Sequence, residues 1–103
     1  MNNAELPEPI IFDWDSGNQT KSLKKHGIST QEAEEPFFRP KYIIPDQRHS
    51  KTESRFGMFG VTTGGKVLFI AFTIRNYRIR VISARPADKK ERKFYEQEVK
   101  KIA

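Results

Sequence analysis

The segment that most constrains the fold is an almost uninterrupted apolar run from Val67 to Ile74. Successive side chains of a β-strand point to opposite faces of the sheet, so a strand with apolar residues on both faces has to be covered on both sides. Thr63-Gly64-Gly65 precedes this run, and glycine accepts the positive φ that a tight hairpin turn requires. The sequence therefore predicts a central strand, paired in a hairpin with a strand over Arg55 to Thr62.

Further strands are predicted on both sides of this hairpin. Arg75-Asn76-Tyr77 has the composition of a turn, and the stretch from Arg78 to Ala84 is predicted to return from it as a strand. Tyr42-Ile43-Ile44 is a strand candidate that Pro45 ends, because proline has no amide to donate to a sheet. Nearer the N-terminus, Ile10 to Trp14 is a short strand candidate.

Helices are indicated before and after the strands. Asp15 can cap a helix from about Ser16 to His26, and Gly27 suits the left-handed position that ends a helix. Ser29-Thr30-Gln31-Glu32 and Asp88-Lys89-Lys90-Glu91 are capping boxes, in which the first side chain and the Glu each accept a backbone amide of the other residue. Two further helices are therefore expected to begin at these motifs.

The helices and strands together define a fold class. Pro36 is expected to stop the second helix early, because it removes a backbone donor. Tyr95, Val99 and Ile102 fall at i, i+4 and i+7 and form one apolar stripe on the last helix. The order β-α-α-β-β-β-β-α predicts an α+β fold, with a small antiparallel β-sheet and helices packed mainly on one face.

The length and composition exclude several classes of protein. The chain has 103 residues, and we expect residues 10–103 to form one domain and residues 1–9 a flexible tail. The absence of Cys excludes disulfides and thiolate metal sites, and two His are too few for a His-rich metal site. The apolar runs are too short to span a bilayer, and the N-terminal residues have no pattern of a secretion signal. We expect a cytoplasmic protein without a metal or another cofactor.

The charge of the chain is concentrated in its last third. The formal net charge is +6, and residues 75–103 hold ten basic and four acidic residues, whereas residues 1–74 hold nine of each. A basic segment of this kind points to a polyanionic partner, most often nucleic acid. A solvated basic surface that keeps the protein soluble would show the same pattern.

Arg, Lys and His near the predicted loops could act on RNA. Cleavage within an RNA chain needs a base for the 2′-OH, cations for the charge that develops on the phosphate, and an acid for the leaving 5′-oxygen. His49 lies beside Arg48 in a polar loop, where neighbouring cations favour the neutral imidazole that a general base requires. The alternative is a surface His without a role. His26 would complement the dipole at the end of the first helix, and Lys25 is either solvated or a phosphate contact.

Two arginines of the last predicted strand, Arg80 and Arg85, are further candidates. Strict alternation places Arg78, Arg80, Ile82 and Ala84 on one face and Ile79, Val81 and Ser83 on the other. Arg80 and Arg85 would then lie on opposite faces, and would converge only if the strand bends after Ser83. An Arg inside a strand has to face water, a ligand or a carboxylate, for which Glu53 and Asp46 are candidates.

Several segments also form a combination that is typical of one protein family. They are Phe12-Asp13-Trp14-Asp15, Lys25-His26-Gly27-Ile28-Ser29, Glu32-Ala33, Asp46, His49-Ser50, Glu53, Arg55, Gly60, Arg80-Val81-Ile82-Ser83-Ala84-Arg85, Ala87, Glu91-Arg92 and Tyr95. With these segments the chain resembles the BrnT family of bacterial ribonuclease toxins, which belong to type II toxin–antitoxin pairs and share the RelE-like fold. The resemblance extends over about residues 12–96.

The chain departs from the family pattern at four positions. Members usually carry a Lys and an Asn where this chain has Asn18 and Ser22, which bears on substrate contacts from the first helix. They have an aromatic residue in place of Thr30 and a continuing helix in place of Pro36, and these two differences concern packing.

The resemblance implies a metal-independent RNA endonuclease that acts by 2′-OH attack and inhibits growth until its antitoxin neutralises it. The implied antitoxin is a BrnA-like ribbon-helix-helix protein that forms a heterotetramer with the toxin and alone contacts operator DNA. By the same resemblance, the candidate catalytic residues are His49, Arg80 and Arg85. The candidate RNA contacts are Lys25, Arg48 and Arg55, the orienting carboxylates are Glu53 and Asp46, and the further candidates are His26 and Tyr95, with Tyr95 more suited to core packing. The alternative is a non-catalytic nucleic-acid-binding or partner-binding subunit of a repressor complex.

Overall fold

The computed structural model describes residues 6–49 and 53–99. Residues 1–5 of the predicted tail, Ser50 of the family pattern and Ile102 of the last helix lie outside this part of the chain. The helices are α1 (Lys21–His26), α2 (Thr30–Glu34) and α3 (Lys89–Glu98), with 3₁₀ helices at Glu35–Phe38 and Gln47–His49, and the strands are β1 (Tyr42–Pro45), β2 (Arg55–Val61), β3 (Val67–Arg75) and β4 (Arg78–Pro86). The strands form one antiparallel sheet in the order β1-β2-β3-β4, which confirms the predicted α+β class. Among the described helices, none is long and apolar enough to cross a membrane.

One face of the sheet carries the main hydrophobic core, and we call it the core face. The buried residues of this core are Ile28, Ala33, Phe37, Ile43, Met58, Leu68, Ile70, Phe72, Ile79, Val81 and Ala84. Phe37 of the first 3₁₀ helix packs edge-to-face on Phe72, with ring centroids 5.1 Å apart. Pro36 packs on Gly60, where an added Cβ would lie 2.7 Å from the proline Cβ. The 3₁₀ helix can therefore approach β2 closely only because position 60 is glycine.

The opposite side of the sheet, which we call the second face, carries Arg55, Gly57, Phe59 and Val61 of β2 and the residues paired with them. Helix α3 covers one end of this face, where Tyr95 and Val99 are buried against Val67 with Tyr42, Phe59 and Val61 packed around them. The Tyr95 hydroxyl donates a hydrogen bond of 2.9 Å to the carbonyl of Pro40, and burial raises the pKa of Tyr95. Tyr95 therefore packs in the core, as the sequence suggested.

Most local predictions are confirmed because they depend on short-range physics. Gly27 has a φ of 70°, and its amide donates to carbonyls of the last turn of α1. Ser29 and Asp88 both form the reciprocal hydrogen bonds of a capping box. Helix α2 passes into a 3₁₀ helix immediately before Pro36, and Asn76 and Tyr77 both have positive φ in the β3–β4 turn, as in a type I′ hairpin.

The segment before α1 differs from the prediction. In place of a strand over Ile10 to Trp14, Phe12 forms a single parallel bridge with Ile79 of β4. Helix α1 begins at Lys21 rather than at Ser16. The reason is that Asp15 accepts hydrogen bonds from the amides of Gly17, Asn18 and Gln19, so that it closes a turn instead of capping a helix.

Candidate functional site

A β-bulge in β4 decides which side chains reach the second face. Val81 and Ser83 pair with consecutive residues of β3, so that Ile82 has no partner there. One extra residue shifts the alternation of side chains by one position. Arg80 and Arg85 consequently lie on the same face. Strict alternation, which placed them on opposite faces, is wrong at Ile82, and the change of face comes from this unpaired residue rather than from a bend after Ser83.

The register shows how the second face is arranged. From the β3–β4 turn onward, its cross-strand rows are Arg75 and Arg78; Arg55, Thr73 and Arg80; Ile44, Gly57, Ala71 and Ser83; and Tyr42, Phe59, Phe69 and Arg85. Arg80 pairs with Thr73 and Arg85 with Phe69, so the two rows are four positions apart on β3, which corresponds to about 14 Å along the strand. The two arginines therefore occupy separate positions on one surface.

A cleft of about 160 Å³ lies over the arginine rows, and we call it the cationic cleft. Its lining includes four cationic side chains, Lys21, Arg55, Arg75 and Arg80, whereas Glu53 is the carboxylate among the described lining residues. Asp13 and Asp15 contact Arg80 from beside this lining, so that four cationic side chains face three carboxylates and the formal charge stays positive by one. A concave site with an excess of positive charge concentrates anions, so this cleft favours an anionic ligand.

Arg80 is held in place by carboxylates of the loop before α1. Its Nη1 and Nη2 each donate a hydrogen bond of 3.0 Å to Asp15, and Nη1 lies 3.7 Å from an oxygen of Asp13. The side chain of Arg80 is only 15% exposed. The hydrogen bond from Arg80 lowers the pKa of Asp15, and the same contact raises the pKa of Arg80. A bidentate pair of this kind fixes the orientation of the guanidinium.

Arg75 and Glu53 form a second bidentate pair in the cleft. Nε and Nη2 of Arg75 donate to the two carboxylate oxygens of Glu53 at 2.9 and 3.1 Å, and this contact lowers the pKa of Glu53. Glu53 was predicted to be an orienting carboxylate, whereas Arg75 was predicted only as a turn residue and not as part of the site. The turn itself contained the signal, because a two-residue hairpin places Arg75 directly opposite Arg78.

Arg85 is held by α3. Its Nη1 and Nη2 donate to Glu91 at 2.8 and 2.9 Å, which raises the pKa of Arg85 and lowers that of Glu91. Glu91 also accepts the backbone amide of Asp88 in the capping box. The Arg85 guanidinium carbon lies 4.8 Å from the centre of the Phe69 ring, which is a cation–π distance.

Two polar side chains bind the outer edge of β4. The Asn18 amide nitrogen donates to the carbonyl of Val81 at 2.8 Å and to that of Asp13 at 3.0 Å, and its oxygen accepts the amide of Asp15 at 2.8 Å. The Ser22 hydroxyl accepts the amide of Ala84 at 2.8 Å. Asn18 and Ser22 both depart from the family pattern. In this chain their side chains form hydrogen bonds with backbone groups of β4 beside the bulge, and these groups would otherwise be unpaired at the edge of the sheet.

The other predicted site residues lie at several places. Lys25 and His26 are exposed in the last turn of α1, outside the residues that line the cationic cleft. Asp46 and Arg48 line a second cavity, which is described below. His49 ends the 3₁₀ helix Gln47–His49, but its side chain lies outside the described part of the structure. The structure thus brings together Arg55, Arg80 and Glu53 and leaves the position of the His49 imidazole untested.

Within residues 6–48 and 53–99, no group of three or more His, Asp or Glu side chains could hold a metal ion. The carboxylates of the second face instead contact arginines, as Asp15, Glu53 and Glu91 show.

Comparison with known proteins identifies a family that the chain matches. The sequence profile of the family described as "Ribonuclease toxin, BrnT, of type II toxin-antitoxin system" matches residues 14–91. The match spans the cationic cleft, the bulge and both carboxylates that pair with Arg80 and Arg85. No curated protein matches the chain.

Proposed function

Because the chain belongs to the BrnT family of ribonuclease toxins of type II toxin–antitoxin systems, we propose that it is a metal-independent endonuclease that uses the ribose 2′-OH of its RNA substrate as the nucleophile. The 2′-oxygen forms a bond to the adjacent phosphorus, and the bond from phosphorus to the 5′-oxygen breaks. The products are a 2′,3′-cyclic phosphate and a 5′-hydroxyl. A base takes the proton of the 2′-OH, and an acid donates a proton to the 5′-oxygen.

The observation that supports this proposal most directly is the shared face of Arg80 and Arg85. The bulge at Ile82 directs both guanidinium groups to the second face, where Arg80 lies beside Arg55 and Arg75, and Arg85 lies in the row of Phe69. Cations that are oriented before the substrate binds stabilise developing charge without a cost of reorganisation. We assign the transition-state charge to Arg80, whose side chain is less exposed than those of Arg75 and Arg85, and a flanking phosphate to Arg85, about 14 Å away along the strand.

The remaining roles follow from the family resemblance. His49 is proposed as the general base or acid. Lys25, Arg48 and Arg55 are proposed as RNA or phosphate contacts, with Asp46 and Glu53 as orienting carboxylates. The hydrogen bonds from Arg75 to Glu53 support the orienting role of that carboxylate. His26 is assigned to the end of α1 and Tyr95 to packing.

The partners of the protein follow from the family at two levels of detail. A type II toxin has an RNA substrate and a cognate antitoxin. Beyond this, we propose a BrnA-like ribbon-helix-helix antitoxin, a toxin–antitoxin heterotetramer, contact with operator DNA only through the antitoxin, and action in the cytoplasm, where RNA cleavage inhibits growth.

The test is cleavage of RNA by the purified protein in EDTA, compared with Arg80→Ala and His49→Ala. We expect Arg80→Ala to lower the cleavage rate about 10²- to 10³-fold, since it removes a preorganised charge donor. For His49→Ala a loss of about 10²- to 10⁴-fold is expected, as for a general acid or base. The matched control is Arg39→Ala, which removes an exposed arginine outside the cationic cleft.

The outcomes distinguish the candidate functions. A substrate with a 2′-deoxyribose at the cleavage position should remain intact, because it lacks the nucleophile. Undiminished cleavage by both variants would refute the residue assignment. RNA binding with a steep salt dependence and no products would instead favour a non-catalytic nucleic-acid-binding subunit.

A further inference from the structure

A second cavity lies on the second face, next to the cationic cleft. Its volume is about 430 Å³, and it is lined by Ile44, Gly57, Phe69 and residues 45–48. We call it the apolar cavity. Pockets that hold small organic ligands have volumes of about 300–1,000 Å³. The apolar cavity is therefore large enough for one nucleobase and too small for a folded element of a protein.

The floor of the apolar cavity is formed before any ligand binds. A Cβ added at Gly57 would lie 2.8 Å from Cζ of Phe69 and 2.9 Å from its Cε1, so that only glycine allows the ring to lie against β2. The Phe59 ring at 5.1 Å and the Arg85 guanidinium at 4.8 Å hold Phe69 from other directions. A fixed aromatic ring beside a cation is the surface on which single-stranded nucleic acids place their bases.

The rim of the apolar cavity carries groups that can recognise a base. Asp46, Gln47 and Arg48 bring a carboxylate, an amide and a guanidinium to one short segment. These side chains are the types that form hydrogen bonds with base edges. The amide of Asp46 donates to the carbonyl of Arg55 at 2.8 Å, which ties this rim to the strand that lines the cationic cleft.

The two sites are adjacent along the sheet. The row of Gly57 is two residues along β2 from the row of Arg55, which corresponds to about 7 Å. A nucleotide with its phosphate over the cationic cleft can therefore reach the apolar cavity with its base. We propose that the apolar cavity binds one base of the RNA substrate and sets the base preference of cleavage. This inference extends the proposed function and depends on it, because it requires RNA to lie across the second face.

The first test is NMR titration of the full chain with the four ribonucleoside monophosphates and with ribose 5-phosphate. We expect nucleotides to shift the signals of Ile44, Gly57 and Phe69, with one base giving the largest shifts, whereas ribose 5-phosphate shifts only residues of the cationic cleft. Equal shifts at Ile44 and Phe69 for ribose 5-phosphate, or no shift there for any nucleotide, would overturn the proposal.

The second test measures base discrimination in cleavage. In a set of RNAs that differ at one position beside the cut, the ratio of kcat/KM for the best and worst base is compared in wild type, Ile44→Ala and Gln47→Ala. Contacts of an aromatic or polar site with a base are worth about 1–3 kcal/mol, so we expect the ratio to fall about 5- to 150-fold. Leu23→Ala and Gln97→Ala are matched controls, since both residues are exposed and lie outside the two cavities.

These tests separate this inference from the proposed function. If the wild type binds nucleotides in the apolar cavity but does not cleave RNA, the cavity stands as a base-binding site, and its role in base preference fails together with the endonuclease proposal. If the wild type cleaves RNA with a base preference that both variants retain in full, the endonuclease stands and the base site fails. A thermal melt of each variant shows whether the variant is folded at the assay temperature. A folded variant that has lost discrimination has lost a contact with the base and not its fold.

Discussion

The core face and the second face belong to the same four strands but differ in how their side chains are used. On the core face, aliphatic and aromatic residues are almost fully buried under the helical segments. On the second face, α3 covers the Phe59–Val61 end, and the other end holds arginines that are fixed by carboxylates of neighbouring segments. The comparison shows how a small protein can hold several cations rigidly. The larger hydrophobic cluster lies on one face, and the other face combines a smaller cluster with the arginines that carboxylates hold in place.

The largest effect is expected on the core face. Phe72 is fully buried and contacts the rings of Phe37 and Phe56. Phe72→Ala should lower the free energy of unfolding by about 3–5 kcal/mol, because it leaves a cavity in the core. Urea denaturation measures this loss. Phe38→Ala removes the same ring from a position that is 65% exposed, and an equally large loss in that variant would contradict the assignment of the core to this face.

A smaller effect is expected where the loop before α1 joins the edge of β4. Asn18 is buried and forms three hydrogen bonds to backbone groups. Asn18→Ala should lower the free energy of unfolding by about 1–3 kcal/mol, because it leaves buried backbone groups without partners. It should also lower RNA cleavage, since the turn that presents Asp15 to Arg80 loses its anchor. Its exposed neighbour provides the control, and if Gln19→Ala has the same two effects, the role of Asn18 is not specific.

A substitution at the end of the second face that α3 covers should change the free energy of unfolding only slightly. Tyr95→Phe removes the hydrogen bond to Pro40 and keeps the buried ring. We expect a loss of about 1 kcal/mol in the free energy of unfolding, with RNA cleavage unchanged. The measurement is a thermal melt together with the cleavage assay, and Tyr77→Phe, at a position 86% exposed, should change neither. A large loss of cleavage in Tyr95→Phe would assign the hydroxyl to the reaction.

The smallest effect is expected in how the free energy of unfolding depends on acidic pH. Arg85 lowers the pKa of Glu91 in the folded protein below its ordinary value of 4.5. A carboxylate with a lowered folded pKa stabilises the fold above its unfolded pKa, and this contribution is lost as the pH falls through the folded pKa. The difference in free energy of unfolding between wild type and Glu91→Gln should be constant near neutral pH and should shrink below about pH 4.5. Glutamine can keep the capping box, so the comparison isolates the charge.

The control for this measurement is the same pair of proteins with Arg85→Met. Without the guanidinium, the difference between glutamate and glutamine should shrink less in this pH range, because the backbone amide of Asp88 still lowers the pKa of Glu91. A pH dependence that is unchanged in the Arg85→Met background would mean that Arg85 is not the main cause of the lowered pKa of Glu91.

The two faces also differ in how far the sequence predicts them. Capping boxes, the glycine that ends α1 and the Gly64-Gly65 hairpin are confirmed, because each depends on a few adjacent residues. Strand β3 is an interior strand as predicted, but the second face covers it fully only near α3, since Phe69 and Ala71 are half-buried. The positions of the site residues depend on contacts between distant segments. Asn18 reaches Val81, and Glu53 reaches Arg75, across separations that no local pattern encodes. The role of His49 stays a prediction.

The unpaired Ile82 has a consequence for how this surface can change in evolution. Which face a strand residue occupies is a matter of parity, since it depends on whether an odd or an even number of paired positions separates it from a reference. A point substitution at Ile82 leaves that count unaltered, whereas deletion of a single codon inverts it. One of the two arginine positions would then turn towards the core. The arrangement therefore tolerates replacement of side chains but not a change of length within this short stretch of β4.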